Sequence, residues 1–104
     1  MYTECAYTEF MDYEWDPRKA AENLSKHGID FADAVIALED ENALTIEDRD
    51  VDELRFKTLG MGPYLKVLYV VHTERGDDCL RIISARPATK HETRQYYQGL
   101  DYYG

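Results

Sequence analysis

The feature that most restricts what this 104-residue chain can fold into is a switch of hydrophobic period near residue 43. Upstream, apolar residues recur three and four apart, as on one side of a helix. From residue 43 to residue 86 they alternate as in strands, and a helical signal returns only at residue 89. The helical part opens at Asp16-Pro17, where the carboxylate can accept from the first free amides and Pro fits the first helical position. The spacing predicts a helix to about His27, stopped by Gly28. Ala20, Leu24 and His27 share one side of it, and Lys19, Asn23 and Lys26 the adjacent side. A second helix, capped by Asp30, carries Phe31, Ala34, Val35 and Leu38 as an apolar stripe.

Strands are expected at 43–48, 53–60, 64–74 and 79–86, all rich in β-branched and aromatic residues. "LGMGP" and "ERGDD" are short turn signals between the last three, which favours an antiparallel meander. Thr89 and Glu92 have the spacing of a capping box, so a final helix should run from Lys90 to about Gln98 and end at Gly99. A brief alternation at "YEW" adds a short strand before the first helix. The expected architecture is α+β: an antiparallel sheet of about four strands, two N-terminal helices and one C-terminal helix. Residues 13–104 read as a single domain and residues 1–12 as an N-terminal arm, either loose or an edge strand.

No window approaches the roughly 18 apolar residues of a membrane span, and the first residues do not read as a signal peptide. Cys5 and Cys79 are too few for a disulfide scaffold or for a zinc site of their own, so a cytoplasmic setting is expected. The net charge is -9, but unevenly spread. Residues 1–54 hold sixteen acids against four bases, and residues 55–104 five acids against eight bases. The cations concentrate in "RIISARPATKHETRQYY", with Arg81, Arg86, Lys90, His91 and Arg94 around the single carboxylate of Glu92.

The three histidines (His27, His72, His91) have no metal-ligand spacing, and no glycine-rich phosphate loop or nucleotide fingerprint is present. Neither a metal nor a cofactor is expected. By strand alternation Arg81 points with Ile83 and Ala85, and Arg86 with Leu80, Ile82 and Ser84, so one arginine should lie on the core side or at its rim. A guanidinium there needs a partner. Two readings fit: a structural salt bridge to one of the many acids, or an anion site where arginine supplies bidentate phosphate contact beside a helix N-terminus. His27 has the same duality, as a cap for the first helix's last carbonyls or as a proton carrier at neutral pH.

Four blocks, "YEWDPRKAAENLSKHGIDFADA", the D-x-x-x-x-E-x-R spacing of Asp48 to Arg55, "VVHTERG" and "RIISARPATKHETRQYY", together resemble, in this order, the BrnT toxins of BrnT/BrnA type II toxin–antitoxin systems. The resemblance covers roughly residues 13 to 97. It implies a RelE-like fold and a metal-independent ribonuclease held inactive by a BrnA-like antitoxin. The implied assembly has two toxins and two antitoxins, and it reaches operator DNA only through the antitoxin. Carried over by motif, Arg55, Arg81 and Arg86 would stabilise charge, and Lys26, His27 and Glu53 are the candidates for base and acid. Arg75, Lys90, His91 and Arg94 would hold substrate phosphates. The N-terminal arm has no counterpart in that pattern. A second reading keeps the fold and its protein-binding surface without cleavage. A third leaves an α+β domain whose arginines are all salt-bridged.

Overall fold

The structure, a computed structural model, describes residues 12–48, 54–76 and 78–103, with side chains to Gly99. The expected arm, apart from Asp12, and Glu53 of the expected site lie outside these residues. The elements are β1 (Asp12–Glu14), α1 (Pro17–His27), α2 (Phe31–Leu38), β2 (Leu44–Asp48), β3 (Arg55–Met61), β4 (Val67–Glu74), β5 (Cys79–Pro87) and α3 (Lys90–Tyr103). The sheet order is β1-β5-β4-β3-β2.

Local chemistry sets the helix ends. Asp16 accepts from the Arg18 amide at 2.9 Å, and Gly28 closes α1 at φ 72° while donating to the Leu24 carbonyl. Asp30 caps α2 in the same way through the Ala32 amide. The capping box of α3 forms in both directions: Glu92 N donates to Thr89 Oγ1 at 3.1 Å, and Thr89 N donates to Glu92 Oε1 at 2.9 Å.

Three expectations about the elements themselves need correction. The sheet has five strands and is mixed, because β1 pairs with β5 in parallel while the other pairs are antiparallel. That pairing spans more than sixty residues of sequence, and a three-residue alternation carries no signal of its partner. The strand expected from residue 64 begins at Val67, since Pro63–Leu65 form a single tight turn in which Tyr64 and Leu65 both take positive φ. Finally, α3 continues through Gly99. A Cβ there would meet Leu44 Cδ2 at 3.0 Å, so glycine serves the approach of α3 to β2 rather than a helix end.

The core lies between one sheet face and the first two helices. Phe31, Ala34 and Ala37 of α2 pack with Leu68, Val70, Ile82 and Ala85, and Tyr13 and Ile29 complete the cluster. Burying a side chain the size of Phe31 or Leu68 contributes about 1.5–3 kcal/mol. At Gly60 a Cβ would lie 2.0 Å from the Ala37 carbonyl oxygen, so only glycine lets α2 approach β3 this closely. On the same face His72 stacks on Phe56 at 5.7 Å, and its Nε2 shares a 2.8 Å hydrogen bond with Thr58. Burial pushes the His72 pKa down to about 4, so the ring is neutral.

β5 contains a bulge. Val71 pairs with Ser84 and His72 pairs with Ile82, leaving Ile83 as an extra residue. The extra residue shifts the alternation by one. Arg81, opposite Thr73, and Arg86, opposite Tyr69, therefore project from the same face, as Thr73 and Tyr69 are four residues apart on one strand. The expectation that one arginine lies on the core side or at its rim fails for this reason. Both occupy the face turned away from α1 and α2.

Candidate active site

Two neighbouring surfaces gather the residues singled out by the sequence, and β5 joins them. The first is the sheet face opposite the core. Across the strands, Asp48 pairs with Arg55, and Arg81 stands between Thr73 and Glu14, while Lys57, Val71 and Ser84 form the next row. Leu59, Tyr69 and Arg86 form the row beyond. α3 crosses the β2–β3 side of this face and leaves a cavity of about 320 Å³ lined by Leu44, Ile46, Leu59, Tyr69, Lys57, Glu92 and Gln95.

Several cations on and around this face are tied to carboxylates. Arg86 grips Glu92 with two parallel hydrogen bonds of 2.8 and 2.9 Å, donates to the Pro87 carbonyl, and lies 4.0 Å from the centre of the Tyr69 ring. The bond from Arg86, reinforced by the Thr89 amide, holds the Glu92 carboxyl at about 2 against the cost of its partial burial. The hydrogen bond to Glu92 likewise raises Arg86 above the ordinary guanidinium range. Lys57 pairs with Asp48 at 3.2 Å, and Arg75 with Glu14 at 3.4 Å. Arg86 thus makes a structural salt bridge that locks the end of β5 to the start of α3.

The second surface is a shallow groove between α1 and β5. β1 pairs with β5 only as far as Arg81, so the rest of that strand edge has no strand partner on this side. α1 covers it through Asn23, which is 6% exposed. Its Oδ1 accepts from the Ala85 amide at 3.0 Å, and its Nδ2 donates to the Ala85 carbonyl at 2.8 Å and to the Ile29 carbonyl at 3.0 Å. A side-chain amide here does what a neighbouring strand would do, which satisfies a buried peptide group. The groove, of about 240 Å³, is lined by Lys19, Glu22, Asn23, Lys26, His27, Ile83 and Ser84. Ser84 also belongs to the arginine-bearing side of β5, so groove and face meet there.

Lys26 and His27 are therefore brought together, and Arg55, Arg81 and Arg86 share one face of the neighbouring sheet. Arg75 sits just beyond β4, beside Glu14, towards the strand end opposite Arg86. Lys90, His91 and Arg94 are exposed on the first turns of α3. The spacing in α1 did not single out Asn23, yet it is the buried residue of that helix, while Leu24 is half exposed. The available signal was a poor helix former in mid-helix, on the side shared with Lys19 and Lys26. Among the described residues, no group of three or more His, Cys, Asp or Glu is placed to hold a metal ion. Nor is any described helix long and apolar enough to cross a membrane.

No curated protein matches the sequence. The crystal structure of the Brucella abortus ribonuclease toxin BrnT superposes with a TM-score of 0.59 at 29% identity, covering 73% of this chain and 94% of that one. The sequence model described as "Ribonuclease toxin, BrnT, of type II toxin-antitoxin system" matches residues 15–92, a span running from the entry to α1 through the Arg86–Glu92 lock. With three-quarters of its length in that match, the chain belongs to the BrnT family of ribonuclease toxins of type II toxin–antitoxin systems.

Proposed function

We propose that this protein is a metal-independent endoribonuclease with a RelE-like fold, acting in the cytoplasm to inhibit translation and growth. A BrnA-like antitoxin neutralises it, in an assembly of two toxins and two antitoxins that meets operator DNA only through the antitoxin. Residues 13–104 act as one domain. The observation that carries the reading is the junction at Ser84, where the groove holding Lys26 and His27 meets the face holding Arg55, Arg81 and Arg86.

In the proposed reaction a base takes the proton of a ribose 2′-hydroxyl. The freed oxygen bonds to the adjacent phosphorus, and the bond to the 5′-oxygen breaks as that oxygen takes a proton from an acid. The products are a 2′,3′-cyclic phosphate and a 5′-hydroxyl. His27 and Lys26 are the described candidates for the proton steps, with Glu53 the third candidate. Arg55, Arg81 and Arg86 balance the charge of the phosphorane, and Lys90, His91, Arg94 and Arg75 hold flanking phosphates. Purified protein should cleave RNA in the presence of a chelator, and Arg81→Ala in a folded protein should abolish it. Expression that leaves cells growing normally, with intact RNA, would sink the proposal.

One observation favours a second reading. The pairing of Arg86, Arg75 and Lys57 with carboxylates suits a protein that binds its antitoxin without cutting RNA. In that case the purified chain would bind antitoxin and leave RNA whole at every concentration.

A further inference from the structure

The groove between α1 and β5 holds more chemistry than Lys26 and His27 account for. Lys19, Asn23 and Lys26 lie on one side of α1 at i, i+4 and i+7. Asn23 fixes that side onto β5, so the two lysines flank the anchor, one turn before it and one turn after. Their Cα atoms are about 10 Å apart along the helix, close enough for two flexible four-carbon stems to bring both ammonium groups onto one anion lying between them. Ser84 supplies a hydroxyl donor on the β5 side of the groove.

Both lysines are exposed, and neither makes a salt bridge among the described residues. Glu22 is the groove's one carboxylate, so the two lysines leave it positive within a protein of net charge -9. Two cations, a hydroxyl and a neighbouring imidazole suit a phosphodiester better than a peptide carboxylate, which gives the imidazole nothing to do.

We infer that Lys19 is a phosphate-binding residue, and that Lys19, Lys26 and Ser84 seat a phosphodiester of the RNA strand in this groove beside His27. The inference rests on the ribonuclease reading above and adds to it the place where the strand lies. Its probe is a short oligoribonucleotide with every 2′-hydroxyl methylated, which can bind but cannot be cut. Binding is measured at low and moderate salt for wild type, Lys19→Ala, Lys19→Arg and Lys66→Ala, the last removing the same charge at the turn before β4.

Lys19→Ala should weaken binding about fivefold to tenfold and lower the salt slope by about one, with unchanged thermal melting. Lys19→Arg should restore most of the affinity, and Lys66→Ala should match wild type. Equal affinity and slope for Lys19→Ala and wild type would overturn the inference while leaving cleavage by the wild-type protein, and hence the ribonuclease reading, intact. So would amide shifts confined to the arginine-bearing face. A wild-type protein that neither binds the oligonucleotide nor cuts RNA would remove both. Binding of an acidic peptide in its place, lost in Lys19→Ala, would assign the groove to a protein partner and end the RNA inference.

Discussion

Cations in this molecule live under two regimes. Around the open sheet face, Lys57, Arg75 and Arg86 each hold a carboxylate. In the α1 groove, Lys19 and Lys26 hold none among the described residues. A paired cation must release its carboxylate before it can grip a phosphate, whereas an unpaired one releases only water. Counting basic residues along the sequence therefore does not separate the cations already paired from those open to an anion. The segment richest in cations also uses Arg86 to brace the fold.

The largest expected effect is on catalysis. His27→Ala should lower RNA cleavage at least about a hundredfold, with the melting curve unchanged. Normal cleavage by that variant, from an equally stable protein, would remove His27 from the proton steps and leave the groove without a role in the chemistry. Next, Asn23→Ala leaves the Ala85 peptide group and the Ile29 carbonyl without their partner. It should cost about 3 kcal/mol in urea unfolding and weaken cleavage as α1 loosens from β5.

His72 tests the covered face against both surfaces. Its folded pKa of about 4 lies below the ordinary 6.5, so the unfolded chain binds more protons between those values. Stability should fall as pH drops from 6.5 to 4, by on the order of 2–3 kcal/mol, and level off below. His72→Phe should flatten that part of the curve; an unchanged slope would show that other groups set it.

The smallest effect is the one that defines the bracing cation. Arg86→Ala should cost about 1–2 kcal/mol. Glu92, held at about 2, contributes stability that is complete above its unfolded value of 4.5 and is lost as pH falls through 2. The wild type should show that acid limb and Arg86→Ala should not.

Much of the fold was legible because local rules govern it. Asp16, Gly28 and the Thr89–Glu92 pair each act within four residues, and all three behave as the sequence implies. What escaped is non-local. The β1–β5 pairing, the contact of Gly99 with Leu44 and the hydrogen bond of Tyr96 to Asp40 each join residues far apart in sequence. The site divides in the same way. Lys26 and His27 stand in a recognisable motif, but the roles of Asn23 and Lys19 come from an unpaired strand edge that no periodicity displays.

The single extra residue in β5 decides how this strand responds to a change of length. Removing Ile83 would bring Ser84 directly after Ile82 while Val71 and His72 keep their partners, so the alternation becomes unbroken and Ala85 and Arg86 stay on the sides they now occupy. A residue added between Ala85 and Arg86 has no such slack and would turn Arg86 towards the helices. Deletions stepped along the strand would therefore reveal the bulge as the place where a lost residue is tolerated.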